Sequence, residues 1–473
     1  MAARQVLNGN FDFDMITDTS VSTILKHMKQ QNARQRHAIR PEISLSSFIS
    51  KLKTWREYTA TSPSGLHLGH YRSLIARHSY SERDPEDQDK QRLDRMQSEL
   101  RLLHLRLINY ALTRGYSYKR WQQVVNSMLW KEPGNHKIHR TRVIHLFEAD
   151  YNLALNLKWR EASLQAERNG LLYKGQYGSR PRKCAVDPVL LEVLQTEMSR
   201  ITRKSLVLMN FDATSCYDRI LPSLANLASR KFGVPPTVTQ MNVLTLEKTS
   251  YQLRTGIGMS PTGYSHCEEN PIYGIGQGAG HAAQTWNFIS SVLLEYHEEQ
   301  VEGAKYEFPD RSAKLALPMV RFVDDNNGQC NQFLSDEPVL AEILATQATS
   351  EIKTWKSFLR ASGGALELPK CTYQILSWGF TMAGGPILRG GTTGPEICVE
   401  DADNPGHMLK IPQLSAHAAH KTLGHYLKPA GTNKKQLEIL KEKSDEIATT
   451  LMASGLSRSE TWTYYFSTYL PSL

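Results

Sequence analysis

The stretch MVRFVDDNNGQC, residues 319–330, decides how this chain is interpreted. Its apolar run ends in two adjacent carboxylates, Asp324 and Asp325, and an Asn-Asn-Gly sequence follows before the chain continues. An apolar run that stops at Asp, Asn and Gly predicts a β-hairpin with both carboxylates at its tip. Because adjacent carboxylates repel each other, such a tip gains from a bound divalent cation. Taken alone, the stretch also fits an ordinary solvated turn.

A second apolar strand, upstream of this hairpin, also ends in a carboxylate. SLVLMNFDATSCYDRI, residues 205–220, predicts a buried strand that runs directly into Asp212. If Asp212 and the Asp324–Asp325 pair stand at neighbouring strand ends, they would hold two Mg²⁺ ions roughly 3.5–4 Å apart. Mg²⁺ takes oxygen ligands, and two such ions clamp the attacking and leaving oxygens of phosphoryl transfer.

Three stretches, in order, resemble the motifs of one enzyme family. FDATSCYD resembles motif A of the reverse transcriptases, GIGQGAG at 274–280 resembles motif B, and FVDD resembles motif C. The order is the family's own, and the Phe that opens FVDD is typical of the non-LTR retrotransposon branch. The resemblance implies an α+β right-hand polymerase fold, with fingers, a palm whose antiparallel sheet is backed by helices, and a partial thumb.

The resemblance also implies a set of catalytic residues. Asp212 and Asp324 would hold two Mg²⁺ ions, or Mn²⁺ in their place, and the backbone carbonyl of Ala213 would be a further metal ligand. Asp325 would support this site and raise its negative charge. The segment ALELPKCTYQIL resembles motif D, in which a Lys follows a short strand, and Lys370 takes that position.

Five residues are implied as substrate contacts. KEPGNHKIHRTRVIHLFEADYNLALNLKWR resembles the fingers segment of the family, so Lys131 and Arg142 would reach the incoming triphosphate. A solvated basic hairpin is the alternative for this pair. Gln277 and Gly278 of motif B would face the nucleotide, because glycine lets the backbone approach closely. Tyr217 stands where the family carries an aromatic ring over the sugar, with a plain core position as the alternative.

A compact basic cluster precedes the motif A strand. GQYGSRPRKC resembles the family's Q-x-G-x-R segment, and its Arg180, Arg182 and Lys183 would grip the template backbone. Contacts of this kind give affinity and salt dependence without sequence specificity. The sequence departs from the family after motif B, where the usual Ser-Pro is replaced by His281 and two alanines.

A different family offers a rival interpretation of one segment. PSGLHLGH, residues 63–70, is very similar to the nucleotide-binding signature of class I aminoacyl-tRNA synthetases. That signature should follow a buried parallel strand, whereas the preceding KLKTWREYTAT has a helical and polar pattern. No KMSKS-like segment follows, and Asp212 and Asp324 would stay unexplained. We instead expect a Ser/Gly turn that caps a helix from His70.

The longest helix predicted before motif A spans Met96 to Arg114, and Gly115 follows as the residue that ends it. A surface helix turns its apolar face toward the core of the protein. The predicted apolar face consists of Leu100, Leu103, Leu107, Tyr110 and Ala111.

Composition sets the broad class of the protein. The 473 residues are 40% hydrophobic and 22% charged, which is typical of a globular chain with more than one core. A formal net charge of +9 suits a polyanionic partner. Six scattered cysteines form no CxxC pair, which favours a reducing compartment. No signal peptide or membrane span is predicted, so we expect an intracellular protein, with nucleus and cytoplasm not distinguished.

These observations lead to one expected function. The chain would be an RNA-directed DNA polymerase from, or derived from, a retroelement, with an RNA template, a DNA or RNA primer and dNTPs as partners and no membrane. An RNA-templated RNA polymerase of the same palm type and an inactive nucleic-acid-binding relic stay open. The expected regions are an N-terminal extension of unknown role at 1–60, a fingers-like region at 61–200, a palm with motifs A to D at 201–385, and a linker with a partial thumb-like region at 386–473.

Overall fold

The protein is a mixture of helix and sheet, 51% helical and 17% strand. This composition agrees with the α+β class expected from the sequence. The computed structural model describes residues 2–8, 10–29, 39–56, 64–76, 88–132, 134–135, 137–138, 141–214, 216–267, 273–307, 314–317, 319–322, 325–331, 341–389, 395–401, 404 and 406–472.

The described chain begins and ends with helices, and strands come mostly in consecutive groups between them. The helices are α1 Ala2–Asn8, α2 Thr19–Lys29, α3 Leu45–Lys53, α4 Leu68–Ser73, α5 Gln88–Arg114, α6 Ala149–Arg168, α7 Val186–Thr202, α8 Cys216–Arg219, α9 Pro222–Lys231, α10 Pro236–Glu247, α11 Ala282–Gln300, α12 Ala341–Ala361, α13 Lys434–Ala453, α14 Arg458–Tyr464 and α15 Leu470–Ser472. The strands are β1 Gln123–Trp130, β2 Thr141–Leu146, β3 Leu206–Phe211, β4 Ser250–Arg254, β5 Tyr264–Ser265, β6 Ala304–Glu307, β7 Lys314–Leu317, β8 Met319–Phe322, β9 Asp325–Asn331, β10 Thr372–Leu376, β11 Trp378–Phe380, β12 Pro386–Leu388, β13 Cys398–Glu400, β14 Met408–Lys410, β15 His420–Thr422 and β16 His425–Leu427.

The chain divides into two compact units, and each is assembled from three separate stretches. The first unit contains Met1–Lys183, Ala213–Gln300 and Thr354–Leu366. The second unit contains Cys184–Asp212, Val301–Lys353 and Glu367–Leu473. The units therefore differ from the consecutive regions expected from the sequence, because β3 belongs with strands that come much later in the chain.

The second unit is built on a four-stranded antiparallel sheet in the order β10-β3-β9-β8. Strand β3 is central, and Leu206 to Met209 are at most 3% exposed, as its apolar sequence predicts. Strands β8 and β9 pair up to Phe322 and Asp325, which confirms the predicted β-hairpin, but Asp325 and the Asn-Asn-Gly residues lie in β9 rather than in the turn. The two residues that join them, 323 and 324, lie outside the described part of the chain.

One buried carboxylate ties this sheet to the helix and hairpin around it. Glu192 of α7 accepts a hydrogen bond from Asn327 Nδ2 at 2.8 Å, and its other oxygen lies 2.6 Å from His420 Nε2. All three residues are buried. A buried carboxylate requires such partners, so these contacts fix β9 against α7 within the second unit.

The first unit contains a different sheet, in the order β2-β1-β4-β5. Strand β1 pairs antiparallel with β2 and parallel with β4, and β4 pairs antiparallel with β5. Large aromatic side chains form the core between the helices, and the Phe232 and Phe288 rings stack at 4.8 Å. Such rings bury much apolar area, which stabilises the helical layer.

The helix predicted from Met96 is present as α5, and Gly115 follows it with φ +66°. The predicted apolar face is wrong for four of its five residues, because only Ala111 is buried. The buried face instead consists of Leu105, Ile108, Ala111 and Leu112, whereas Leu100, Leu103, Leu107 and Tyr110 are 49–54% exposed. The helix carries two apolar stripes of helical period, and periodicity alone does not show which one packs inside.

Among the described residues, no helix is both long enough and apolar enough to cross a membrane. The six cysteines are free thiols.

Candidate active site

Strand register places the two carboxylate-bearing chain segments side by side at one sheet edge. Phe211 of β3 pairs with Asn326 of β9. The next positions along these antiparallel strands are Asp212 and Asp325. Asp324, the second predicted metal ligand, lies outside the described residues, and so does the side chain of Asp325. No cluster of three His, Cys, Asp or Glu is found among the described side chains, which include Asp212 but neither of the other two.

Lys370, predicted from motif D, lies beside Asp212 within the second unit. Its Nζ is 3.5 Å from Asp212 Oδ2, and the two side chains are 62% and 39% exposed. A short 3-10 turn, Leu368–Lys370, leads into β10, and the Glu367 amide donates to the Asp212 carbonyl at 2.9 Å. The backbone thus holds the turn against the end of β3, which brings the Lys370 ammonium group to the carboxylate.

Cys371 adjoins this pair, although no role was predicted for it. The thiol is buried 4.0 Å from the Asp212 carbonyl oxygen. Burial raises the pKa of Cys371 to about 11, and the nearby Asp212 and Glu367 charges contribute to this shift. The thiol is therefore neutral near pH 7 and serves as a packing group rather than as a thiolate ligand.

The Ala213 carbonyl oxygen accepts no hydrogen bond within the β-bridge that this residue forms. Ala213 forms an isolated antiparallel bridge with Leu366. The hydrogen bonds around it are made by neighbouring residues, with the Thr214 amide donating to Ala365 and the Glu367 amide donating to Asp212. The sequence-based expectation that the Ala213 oxygen contacts a metal is compatible with this pattern.

The motif B loop of the first unit is held by unusually close backbone contacts. Gly274, Gly276 and Gly278 have φ values of +81°, +78° and +106°. A Cβ atom at Gly278 would lie 2.7 Å from the carbonyl oxygen of His145. The His145 amide donates to the Gln277 carbonyl at 2.7 Å. Only glycine fits these positions, so Gln277 and Gly278 are fixed against strand β2.

The other end of the same loop lies on the turn after motif A. The Ile275 amide donates to the Tyr217 carbonyl at 2.8 Å, and a Cβ at Gly274 would be 3.0 Å from Asp218 backbone atoms. The Tyr217 ring is partly buried, and its centroid is 6.4 Å from that of Trp286. The loop therefore joins helix α8, which carries Tyr217, to strand β2.

The two predicted triphosphate contacts are exposed at one end of the β1–β2 hairpin. Lys131 directly follows β1, and Arg142 is the second residue of β2, paired with Leu129. The Asp218 Oδ1 atom is buried without a hydrogen-bond partner, and burial raises the pKa of Asp218, while the Lys131 charge partly offsets this rise. The hairpin, the glycine loop and α8 thus form one assembly within the first unit.

The basic cluster near residue 180 divides into one buried and two exposed residues. Arg180 is 10% exposed and makes bonds of 2.7 and 2.8 Å to the two Glu167 oxygens. It also donates to the Tyr173 and Gln176 carbonyls. Arg182 and Lys183 are exposed. These bonds hold the Arg180 guanidinium within the first unit, and its expected contact with a template stays a prediction.

His281, which departs from the family pattern, is a core residue. It is 1% exposed and packs against Trp159 with ring centroids 4.7 Å apart. Burial lowers the pKa of His281 to about 3, so the imidazole is neutral at physiological pH. His281 therefore fills the core behind the glycine loop.

The segment PSGLHLGH has a structural role in the first unit. His67 rather than the Ser/Gly turn caps α4, since its Nδ1 accepts from the Gly69 amide at 3.1 Å. The Ser64 amide donates to Glu148 at 3.2 Å. The described residues upstream form helix α3 rather than the parallel strand that a synthetase signature would follow.

A buried ion-pair network, which the sequence did not reveal, supports this segment. Arg120 binds Asp150 and lies 2.9 Å from Glu148, and both carboxylates are nearly inaccessible. Trp121 Nε1 also donates to Asp150 at 3.0 Å. The charged residues at the start of α6 were the available sequence signal. Their partner Arg120, however, is 30 residues away from Asp150 in sequence.

Residues of the N-terminal 60, to which the sequence assigned no role, line a cavity beside the motif B loop. Its volume is about 320 Å³, and Lys51, Trp55 and Arg56 line it together with Asn156 and Gly280.

Comparison with known proteins assigns no family. No family model matches the chain, and no curated protein matches it. Function therefore has to be inferred from the residues and geometry of the two units.

Proposed function

We propose that this chain is an RNA-directed DNA polymerase of the right-hand type. The single observation that supports this best is the register of β3 and β9, which sets Asp212 and Asp325 at adjacent positions of one sheet edge. The apolar strand β3 ends directly before Asp212, and β9, which comes much later in the chain and pairs with it, begins at Asp325. A two-metal polymerase requires this arrangement, whereas a solvated Asp-Asp turn does not.

The residues at this edge fit Mg²⁺. Asp212 is partly exposed, so an ion has access to its carboxylate. Asp324 and the Ala213 carbonyl would supply further oxygen ligands, which Mg²⁺ prefers, and Asp325 would add negative charge. Two Mg²⁺ ions, or Mn²⁺ in their place, would activate the primer 3′-oxygen and neutralise the charge of the leaving pyrophosphate.

The remaining residues would orient the reactants. The primer 3′-oxygen attacks the α-phosphate of a dNTP, and pyrophosphate leaves as the new P–O bond forms. Lys131 and Arg142 would hold the triphosphate, and Gln277 and Gly278 would contact the nucleotide. Lys370, at 3.5 Å from Asp212, would add positive charge at the site. Most of the rate enhancement would come from positioning and charge neutralisation.

The template would be bound by surface charge. Arg182 and Lys183 are exposed, whereas the Arg180 guanidinium is bound to Glu167. Their contacts with an RNA template would go to the phosphate backbone, and a DNA or RNA primer would supply the 3′-end. Binding would then be strong at low salt and weaken in the same way for all sequences.

Primer extension tests the proposal directly. The chain should extend a primer on an RNA template with dNTPs, and Asp324→Ala or Asp212→Asn should lower the rate on the order of 10³-fold or more. Asp212→Asn should keep the wild-type melting temperature, because the Asp212 side chain is 39% exposed. Glu438→Gln, an exposed carboxylate on α13, is the charge-matched control and should leave activity unchanged.

The outcomes separate the candidate functions. Extension with NTPs but not dNTPs would point to an RNA-templated RNA polymerase. Template binding without any extension would point to an inactive relic. Undiminished extension by Asp212→Asn would contradict the metal site itself.

The sugar preference of the enzyme gives a second test. Tyr217 would pack its ring over the sugar and leave no room for a 2′-hydroxyl, so the wrong substrate is rejected by a clash. Tyr217→Ala should gain ribonucleotide incorporation by about 10-fold or more, while Tyr217→Phe should retain the wild-type preference. Relative kcat/KM for dNTP and NTP measures the effect. If wild-type protein accepts NTPs as readily as dNTPs, Tyr217 is not a gate.

A further inference from the structure

Helix α5 exposes a regular apolar stripe that the fold of its own unit does not cover. Its members recur at alternating intervals of three and four residues and are 41–54% exposed: Leu93, Met96, Leu100, Leu103, Leu107 and Tyr110. This is the heptad spacing by which helices pair along a narrow seam. The stripe extends over 17 helical steps, about 26 Å at 1.5 Å per residue.

A different face of α5 is already occupied. Ile108, Ala111 and Leu112 are at most 1% exposed, and Gln97 donates to the carbonyls of Ser73 and Ala76. The helix is therefore packed into the first unit by this face, which lies about 120° around the helix from the stripe. An amphipathic surface helix needs one apolar face, and a second one implies a further contact.

The intervals between the residues of the stripe are the same when they are counted from either end of the helix. A copy of α5 that runs the opposite way, related by a two-fold axis between Arg101 and Leu102, matches every position. Leu100 then lies opposite Leu103, Met96 opposite Leu107, and Leu93 opposite Tyr110 of the other copy. Such self-complementarity is what an isologous two-fold interface requires.

The charges beside the stripe favour the same arrangement. Glu99 and Arg106 are exposed on one flank of the stripe, seven residues apart. In the antiparallel pair, Glu99 of each helix is offset from Arg106 of the other by about 3 Å along the axis. Two symmetric ion pairs form, whereas a parallel pair would bring like residues to the same level.

We propose that the exposed stripe of α5 binds a second copy of this chain through an antiparallel helix pair. The proposal commits to a homodimer because both the palindromic spacing and the flanking charges are self-complementary. It does not depend on the proposed polymerase activity, since no residue of the stripe belongs to the candidate active site.

Sedimentation equilibrium of the full chain tests this proposal over the micromolar range. The expected mass is twice 53.6 kDa. Leu100→Glu combined with Leu103→Glu should raise the dimer Kd by about 100-fold or more, because each substitution enters the interface twice. Its melting temperature should equal that of a wild-type monomer, since both leucines are half exposed. Leu437→Glu, at an exposed leucine of α13, is the matched control and should leave the mass unchanged.

A charge reversal tests the orientation. Glu99→Arg and Arg106→Glu should each weaken the dimer by about 10-fold, and the double variant should restore it, because the ion pairs re-form with opposite sense. A monomeric mass at all concentrations, or a dimer that survives the double leucine substitution, would overturn the proposal. Failure of the double reversal to restore the dimer would overturn the antiparallel arrangement.

Discussion

The sheet edge at Asp212 and the glycine loop at 274–280 belong to different units, and they are built on different principles. The sheet edge results from strand pairing, in which apolar side chains such as Leu206 and Val207 fill the core. The loop depends on glycine residues, since a Cβ atom at Gly278 would clash with the His145 carbonyl oxygen at 2.7 Å. A strand end tolerates adjustment of its neighbours, whereas two backbones in direct contact do not.

The largest effect is expected in the loop. Gly278→Ala should lower the free energy of unfolding by about 4 kcal/mol, because it combines a positive φ with a clash against backbone. Gly170→Ala is the matched control in the same unit, with φ +63° and nothing within 4 Å of the added atom. It should cost about 1 kcal/mol through backbone strain alone. Urea unfolding at constant m-value measures both, and equal shifts would show that the close contact is unimportant.

A smaller effect is expected for Gly328 of strand β9. A Cβ at Gly328 would lie 2.6 Å from the Phe211 ring and 3.2 Å from Met209 Cε, which are side-chain atoms that can move. Gly328→Ala should therefore cost about 2 kcal/mol. Since Phe211 directly precedes Asp212, primer extension should fall as well. A cost above that of Gly278→Ala would reverse the comparison.

The smallest effect concerns pH, where the two units should respond oppositely. Burial raises the pKa of Glu351 in the second unit to about 8, so its stabilising contribution is present below the unfolded pKa near 4.5 and is lost as pH rises through 8. Buried His281 in the first unit, with its lowered pKa, contributes stability at neutral pH that is lost on acidification.

Glu351→Gln tests this expectation. Between pH 6 and 7 the wild type should lose about 1 kcal/mol of unfolding free energy that the variant keeps. Glu342→Gln, an exposed carboxylate on the same helix, is the control and should follow the wild type. Chemical unfolding at several pH values measures the difference. A variant with the wild-type slope would show that Glu351 ionises normally.

Features with a local sequence signal could be predicted, and features that depend on contacts between distant residues could not. The strand before Asp212 and the β8–β9 hairpin could be predicted because apolar runs are local signals, whereas the Asn-Asn-Gly residues expected in the turn lie in β9. The proximity of Lys370 to Asp212 followed only from the resemblance. The ion pair between Arg180 and Glu167 could not be predicted. No local sequence pattern shows that the fold brings these two residues together.

The error on α5 has a similar origin. Leu100 and Leu103 satisfy helical periodicity as well as Leu105 and Ile108 do, and the sequence contains no measure of which stripe the core accepts. The exposed stripe can be recognised only after the buried one has been located. Its heptad regularity then becomes informative, because the helix no longer needs it for packing within its own unit.

The central position of β3 has a consequence for synthesis on the ribosome. Its partners β9 and β10 begin only at residues 325 and 372, so the strand leaves the ribosome with neither neighbour available. At about 5–20 residues per second, roughly 10–30 s pass before Leu376 emerges to complete the pairing. During this interval an apolar strand with two open edges is exposed to other chains, which makes nascent protein a natural client of chaperones.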